Sequence, residues 1–216
     1  MSDKGLAIQE KYLNIDCPAE RSDINDEIQE IFGDELKLPE CAQIDANPGG
    51  GISAGYVTSN GTVYSLSIDA KGNALRRLIC NPEDSYVDTE KGRIQVCEND
   101  FSEIMGAVSP AKLEKAREIL LERDAYITEI EGMLENKVDI PPDSIVRTTP
   151  DDGIEAVSRN GFGTLYYIAV TKNGTIRETT VIDGRPELTE TTVKPKALDP
   201  STVANVRFYL MSRKID

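Results

Sequence analysis

The chain repeats itself. Gly51-Ile52-Ser53-Ala54 returns as Gly153-Ile154-Glu155-Ala156, an offset of 102 (154 − 52). The same offset carries Glu27-Ile28 onto Glu129-Ile130, Leu38-Pro39 onto Ile140-Pro141, Pro48 onto Pro150 and Gly72 onto Gly174. It also carries Gly61-Thr62-Val63-Tyr64 onto Gly163-Thr164-Leu165-Tyr166. Most other positions differ. The matches nevertheless hold one register, and they fall on turn glycines, prolines and apolar positions, which set chain direction and core. Such self-similarity restricts the chain to two versions of one supersecondary unit. The sequence predicts two tandem divergent copies, residues 21–122 and 123–216, after an N-terminal arm over residues 1–20.

Each copy opens on an amphipathic helix. Ser22 is the expected N-cap of the first, and Asp23, Asp26 and Glu27 follow in the opening turn, where the helix dipole favours negative charge. Ile24, Ile28, Ile31 and Phe32 form an apolar stripe at helical spacing, and Tyr126, Ile130, Met133 and Leu134 repeat it. Strands joined by tight turns come next. Ser59-Asn60-Gly61, Ala70-Lys71-Gly72 and Lys172-Asn173-Gly174 put glycine where a hairpin needs positive φ. From Thr62 to Asp69, Tyr64, Leu66 and Ile68 share one face, and Tyr166, Ile168 and Val170 hold the same register in the second copy. Ser109-Pro110 and Asp199-Pro200 each read as an N-cap followed by proline at the first helical position. After Pro110 no breaker interrupts Leu113, Ala116, Leu120, Ile127, Ile130 and Leu134, so one helix of about 25 residues, roughly 38 Å, should join the copies as a rigid spine. The predicted fold class is α+β: two α-β-β-β-α repeats, each with a small antiparallel sheet, joined through a long central helix.

The copies differ in length. Gly72 to Pro110 is 38 residues and Gly174 to Pro200 is 26. The surplus of 12 falls in an acidic stretch read as a hairpin insertion, about residues 81–100, turning at Glu90-Lys91-Gly92. Surface insertions of this kind are neutral decoration more often than they are functional.

Charge narrows the function. Among 216 residues, 38 acids face 24 bases, a net charge of −14, and there is no histidine. Imidazole bases, Ser-His-Asp and Cys-His nucleophile pairs and histidine metal sites are thereby excluded. Strong negative charge argues against direct nucleic-acid binding, which needs Lys and Arg on the phosphates. No apolar run suits a signal peptide or a membrane span, so a cytoplasmic protein with no membrane partner is expected. Cys17, Cys41, Cys80 and Cys97 lack C-x-x-C spacing and read as free thiols in a reducing compartment, with a bridge between two of them left open.

No motif singles out a catalytic residue, a metal site or a cofactor. Asn47-Pro48-Gly49-Gly50-Gly51 is glycine-rich, but it leads into a strand and has no lysine, so turn geometry is the expectation. Paired acids such as Glu83-Asp84, Asp151-Asp152 and Asp34-Glu35 sit in polar segments and fit no calcium or glycosidase spacing.

The acidity is lopsided. Residues 1–108 hold 20 acids and 9 bases, and residues 109–216 hold 18 and 15. Asp23, Asp26, Glu27, Glu30 and Asp34 lie off the apolar stripe of the first helix, either as a solubilising face or as a docking face for a basic partner. A second candidate surface is the outer face of the second sheet. Leu165, Tyr167, Ala169 and Thr171 stand there opposite the core register, where the first copy has Val63, Ser65, Ser67 and Asp69. Apolar residues on a nominally wet face call for a cover: the arm, the other copy, a second subunit in a homodimer, or a partner. The leading expectation is a non-enzymatic acidic protein-binding module of adaptor, chaperone or inhibitor type, engaging a basic or nucleic-acid-binding protein. The alternative is a small enzyme using carboxylate, Ser or Cys chemistry between the repeats.

Overall fold

Ile28 and Phe32 are fully buried on one face of helix α1 (Asp23–Phe32), so the apolar stripe is the face that packs. A 3-10 turn (Gly33–Glu35) ends this helix. These elements come from a computed structural model, which describes residues 23–38, 42–57, 63–79, 86–89, 92–95, 100–159, 164–182 and 185–213. Ser22, the arm, the turn at Ser59-Asn60-Gly61 and all four cysteines lie outside those residues.

Four strands follow: β1 (Gln43–Ala46), β2 (Ile52–Val57), β3 (Val63–Ile68) and β4 (Asn73–Ile79). β5 (Tyr86–Thr89) and β6 (Gly92–Gln95) pair antiparallel as a separate hairpin, and β7 (Asp100–Ala107) then returns to the main sheet. That sheet has five strands in the order β1-β2-β3-β4-β7, antiparallel throughout. Helix α2 (Pro110–Met133) runs 24 residues without a break. A second five-stranded antiparallel sheet contains β8 (Ile145–Thr148), β9 (Ile154–Arg159), β10 (Thr164–Val170), β11 (Ile176–Ile182) and β12 (Arg185–Lys194), in that order. Helix α3 (Pro200–Arg213) closes the described chain. The class is therefore α+β, with two five-stranded sheets, one two-stranded hairpin and three α-helices among the described residues. No helix among them is long and apolar enough to cross a membrane.

The α-β-β-β-α expectation undercounts the strands. β1 and β8 are four residues each, and their sheet partners satisfy them along one side only. β12 (RPELTETTVK) shows almost no apolar alternation, because it is an edge strand. Short edge strands carry little hydrophobic pattern for a sequence reading to find.

The residues divide into two compact units, and the division falls inside α2, between Leu121 and Glu122. In the first unit, Ile28, Phe32 and Leu36 join Leu113, Ala116 and Leu120 of α2 over Ile52, Tyr64, Leu66, Ile68 and Leu78 of the sheet. In the second, Ile127, Ile130 and Leu134 join Val203, Val206 and Leu210 of α3 over Ile154, Ala156, Ile168, Val170 and Ile176. Each unit is thus a two-layer packing of helices on one face of a sheet. Every fully buried Ile or Leu contributes about 2 kcal/mol of apolar transfer.

Backbone hydrogen bonds recur between the units in one register. Asn47 N–H donates to the Gly51 carbonyl at 2.8 Å, and Thr149 N–H to that of Gly153 at 3.0 Å. Asp69 N–H donates to the Asn73 carbonyl and Thr171 N–H to the Thr175 carbonyl. Leu38 N–H donates to Gln29 Oε1 at 2.7 Å, and Ile140 N–H to Glu131 Oε1 at 2.7 Å. Ile52 pairs with Ile68, and Ile154 with Val170. Beyond the β5–β6 hairpin the offset shortens to 90 (198 − 108), as Val108 N–H donates to the Gly72 carbonyl and Leu198 N–H to that of Gly174. These last bonds explain the glycines. Gly72 and Gly174 have φ of +87° and +75°, and a Cβ there would stand 2.1 Å from the Val108 carbonyl oxygen or 1.8 Å from that of Leu198. Only glycine fits both the turn and the close approach.

The helix starts match their sequence signals. Lys112 N–H donates to Ser109 Oγ at 3.3 Å, and Ser201 N–H to Asp199 Oδ1 at 2.8 Å, with Pro110 and Pro200 each at the first helical position.

Candidate functional site

The acidic face of α1 is built by helical spacing. With Ile28 and Phe32 turned inward, Asp26, Glu27 and Glu30 are exposed, and Asp34 extends the same exposed row into the 3-10 turn. Asp23 begins the helix. Lys112 Nζ ties this end to α2, donating to the Phe32 carbonyl at 3.3 Å and pairing with Glu35 at 2.7 Å, a cation where a helix C-terminus favours one.

The second unit shows which of these charges the scaffold needs. At the offset of 102, Asp23, Asp26, Glu30 and Asp34 become Ala125, Thr128, Gly132 and Asn136. Glu27 alone keeps its sign, as Glu129, and Glu129 has internal work: it accepts the Tyr209 hydroxyl bond. Tyr209 stacks on Tyr126 with centroids 6.1 Å apart, and the Arg213 guanidinium lies 5.1 and 5.2 Å from the two rings. Burial and the Glu129 bond push the Tyr209 phenol up to about 12. The C-terminal part of α2 therefore packs its apolar stripe without that acidic row.

Leu165 and Tyr167 share the outer face of β10, and both are half-buried. Tyr167 stands beside Val157 and Thr179 of the neighbouring strands. Its hydroxyl donates to Glu155 Oε2 at 3.1 Å, and Glu155 pairs with Arg147 at 2.5 Å. Burial and the Glu155 carboxylate together raise the phenol above its usual range. Tyr167 thus belongs to a polar row across β8, β9 and β10 rather than to a bare apolar patch. The structure gathers the α1 acids in the first unit and the β10 pair in the second.

The outer face of the first sheet is less polar than β3 alone implies. Leu75 and Ile79 of β4 and Ile104 of β7 are exposed there, Ile104 by 78%. Arg76 takes the inward place between Leu75 and Arg77, fully buried beside Tyr64 and paired with Glu103. Among the described residues its Nε and Nη1 meet no hydrogen-bond partner within bonding geometry. Burial raises the Tyr64 phenol, while the Arg76 charge pulls it the other way.

In the second unit an open cleft of about 430 Å³ lies beside Tyr166 and Glu178, which stand at the offset of 102 from Tyr64 and Arg76. Tyr166, Ile168 and Glu178 line its sheet side, and Val138 and Asp139 the loop after α2. No single sequence motif marks this cleft, because its walls come from four separated segments.

Among the described residues ionisation is perturbed at four exposed carboxylates, and downward at each. The Asn73 side chain holds Asp69 low, the Thr149 hydroxyl Asp151, the Ser201 hydroxyl Asp199, and the Lys137 ammonium Glu135. Each is kept charged, not poised to exchange a proton near neutrality. Among the described residues no group of three or more Cys, Asp and Glu side chains converges to hold a metal ion. The Asn47–Gly51 segment closes on itself through Gly50 N–H to the Asn47 carbonyl at 3.0 Å, which is turn geometry. No protein-family model, curated protein or solved structure matches the chain.

Proposed function

We propose that the chain is a tandem duplication of one α+β unit serving as a non-catalytic binding protein, whose first unit docks a basic protein partner on the acidic face of α1. The observation that carries this reading is the contrast between the two helices. The second unit builds an equivalent buried stripe, Ile130 and Leu134, with Thr128, Gly132 and Asn136 where the first has Asp26, Glu30 and Asp34. Packing of the buried stripe does not depend on charge at these positions, and clustered like charge steers an opposite partner and sets its orientation. The recurrence of turn, loop and sheet hydrogen bonds at the offset of 102 before the β5–β6 hairpin, and at 90 after it, supports the duplication.

The test is affinity capture from lysate at two salt concentrations, comparing the wild type with D26N/E27Q/E30Q/D34N. A control variant neutralises Glu114, Glu118 and Glu122, exposed acids of α2. We expect basic proteins retained by the wild type to be lost in the α1 variant and at high salt, but kept by the control. Equal capture by the α1 variant and the wild type overturns the reading.

A further inference from the structure

We propose that the cleft of the second unit is a receptor for an arginine side chain carried by another protein. The corresponding place in the first unit is already filled. There Arg76 brings its own guanidinium into the interior, beside Tyr64 and against Glu103, and both Arg76 and Tyr64 are sealed from solvent. At the offset of 102 the tyrosine is kept as Tyr166, but Arg76 becomes Glu178 and Lys37 becomes Asp139. The sign is inverted at both positions, as it is where Glu35 becomes Lys137, and the space stands open.

The cleft's own cations are already engaged. Lys194 Nζ pairs with Glu178 Oε1 at 2.8 Å and donates to the Lys137 carbonyl at 3.2 Å. Lys137 Nζ donates to the Ala197 carbonyl at 2.5 Å and pairs with Glu135 at 2.5 Å. What the cleft offers a guest is therefore carboxylate: Asp139, which no cation among the described residues reaches, and the second oxygen of Glu178. A half-buried tyrosine ring and the apolar Val138 and Ile168 stand beside them. A planar cation with several donors suits that set. A guanidinium can bridge two carboxylates and lie on an aromatic face while its methylene stem covers apolar surface. Lysine has neither the plane nor the fork. That the arginine arrives on a protein rests on the proposed function; the cleft's preference for a guanidinium does not.

The experiment is an NMR titration of the full chain with N-acetyl-arginine amide, N-acetyl-lysine amide and N-acetyl-citrulline amide. The arginine probe should shift amides of residues 136–141, 166–168 and 178–180 with weak affinity, a Kd of about 1 mM. The citrulline probe, of like shape but neutral, should leave them in place, and the lysine probe should bind at least about fivefold more weakly. D139N and E178Q should each weaken the arginine probe by about tenfold, as expected for a charge-assisted bond. K194M should tighten it, because the competing ammonium is gone, and that opposite sign separates a binding role from simple loss of fold. Equal shifts from arginine and citrulline probes, no localised shifts from arginine, or weaker binding by K194M overturns the assignment. Failure here leaves the α1 capture result untouched, and failure of α1 capture leaves these shifts untouched.

Discussion

The two units share several turn and strand hydrogen bonds and differ in the charges around them. Turns, sheet registers and the loop tied down by Gln29 or Glu131 recur at the offset of 102, and the bonds to Gly72 and Gly174 at 90, while several charges around them change sign or vanish. The sharpest case is the inner face of the fourth strand of each unit, β4 and β11. The first unit seals an Arg76–Glu103 pair there. The second places Glu178 and Lys194 at the rim of an open cleft, with side chains 29% and 42% exposed. The backbone frame depends on glycines, prolines and buried aliphatics, which tolerate little. Charge at a surface or rim costs little to move, so it is where two such units can part.

The largest effect should come from that pair. Glu103→Leu strands a buried guanidinium and should cost about 3–5 kcal/mol in denaturant unfolding, whereas Arg76→Met, which leaves Glu103 partly in water, should cost far less. Lys194→Met, at the solvated counterpart, should change stability by no more than about 1 kcal/mol. Equal losses for Glu103→Leu and Lys194→Met would erase the distinction between a sealed and an open site.

The core frame should respond alike in both units. Ile28 and Ile130 are each 0% exposed, and either truncation to alanine should cost about 2–5 kcal/mol. A loss well under 1 kcal/mol at one of them, measured by the same unfolding curve, would show that the units do not share a packing logic.

The smallest effect is the acid response. Asp69 belongs to the first unit, and Glu135, Asp151 and Asp199 to the second. Their folded ionisation is depressed below ordinary values near 3.8 for Asp and 4.5 for Glu. They therefore contribute stability above that range and lose it as pH falls through their lower folded values. Tm should hold from about pH 7 to pH 5 and decline below about pH 4. Replacing Asp151 and Asp199 by Asn should flatten the decline more than replacing Asp69 alone. A steeper decline in the double variant would contradict the sign.

Much of the frame was legible because its signals are local. Glycine after a two-residue turn, an N-cap before proline, and an apolar stripe at helical spacing each depend on a few adjacent residues. The acidic row of α1 was legible for the same reason. Arg76 was not, because alternation in Asn73–Ile79 gives no cause to turn an arginine inward and leave Leu75 and Ile79 outside; that choice is made by Glu103 and Tyr64 on other strands. The cleft escaped notice for a related reason. Asp139, Tyr166 and Glu178 are distant in sequence, and no residue among them is unusual until set against its counterpart in the first unit.

Helix α2 passes from one core to the next without a break, and this has a kinetic consequence. Starting a helix is the slow and unfavourable step, with a nucleation constant of about 10⁻³, whereas extending one is nearly free. Residues up to Leu120 are held by the first core and those from Ile127 by the second. Whichever core assembles first hands the other a helix already started, so one nucleation serves both units. A proline placed near Leu121 would divide that inheritance, leaving each core to begin its own helix.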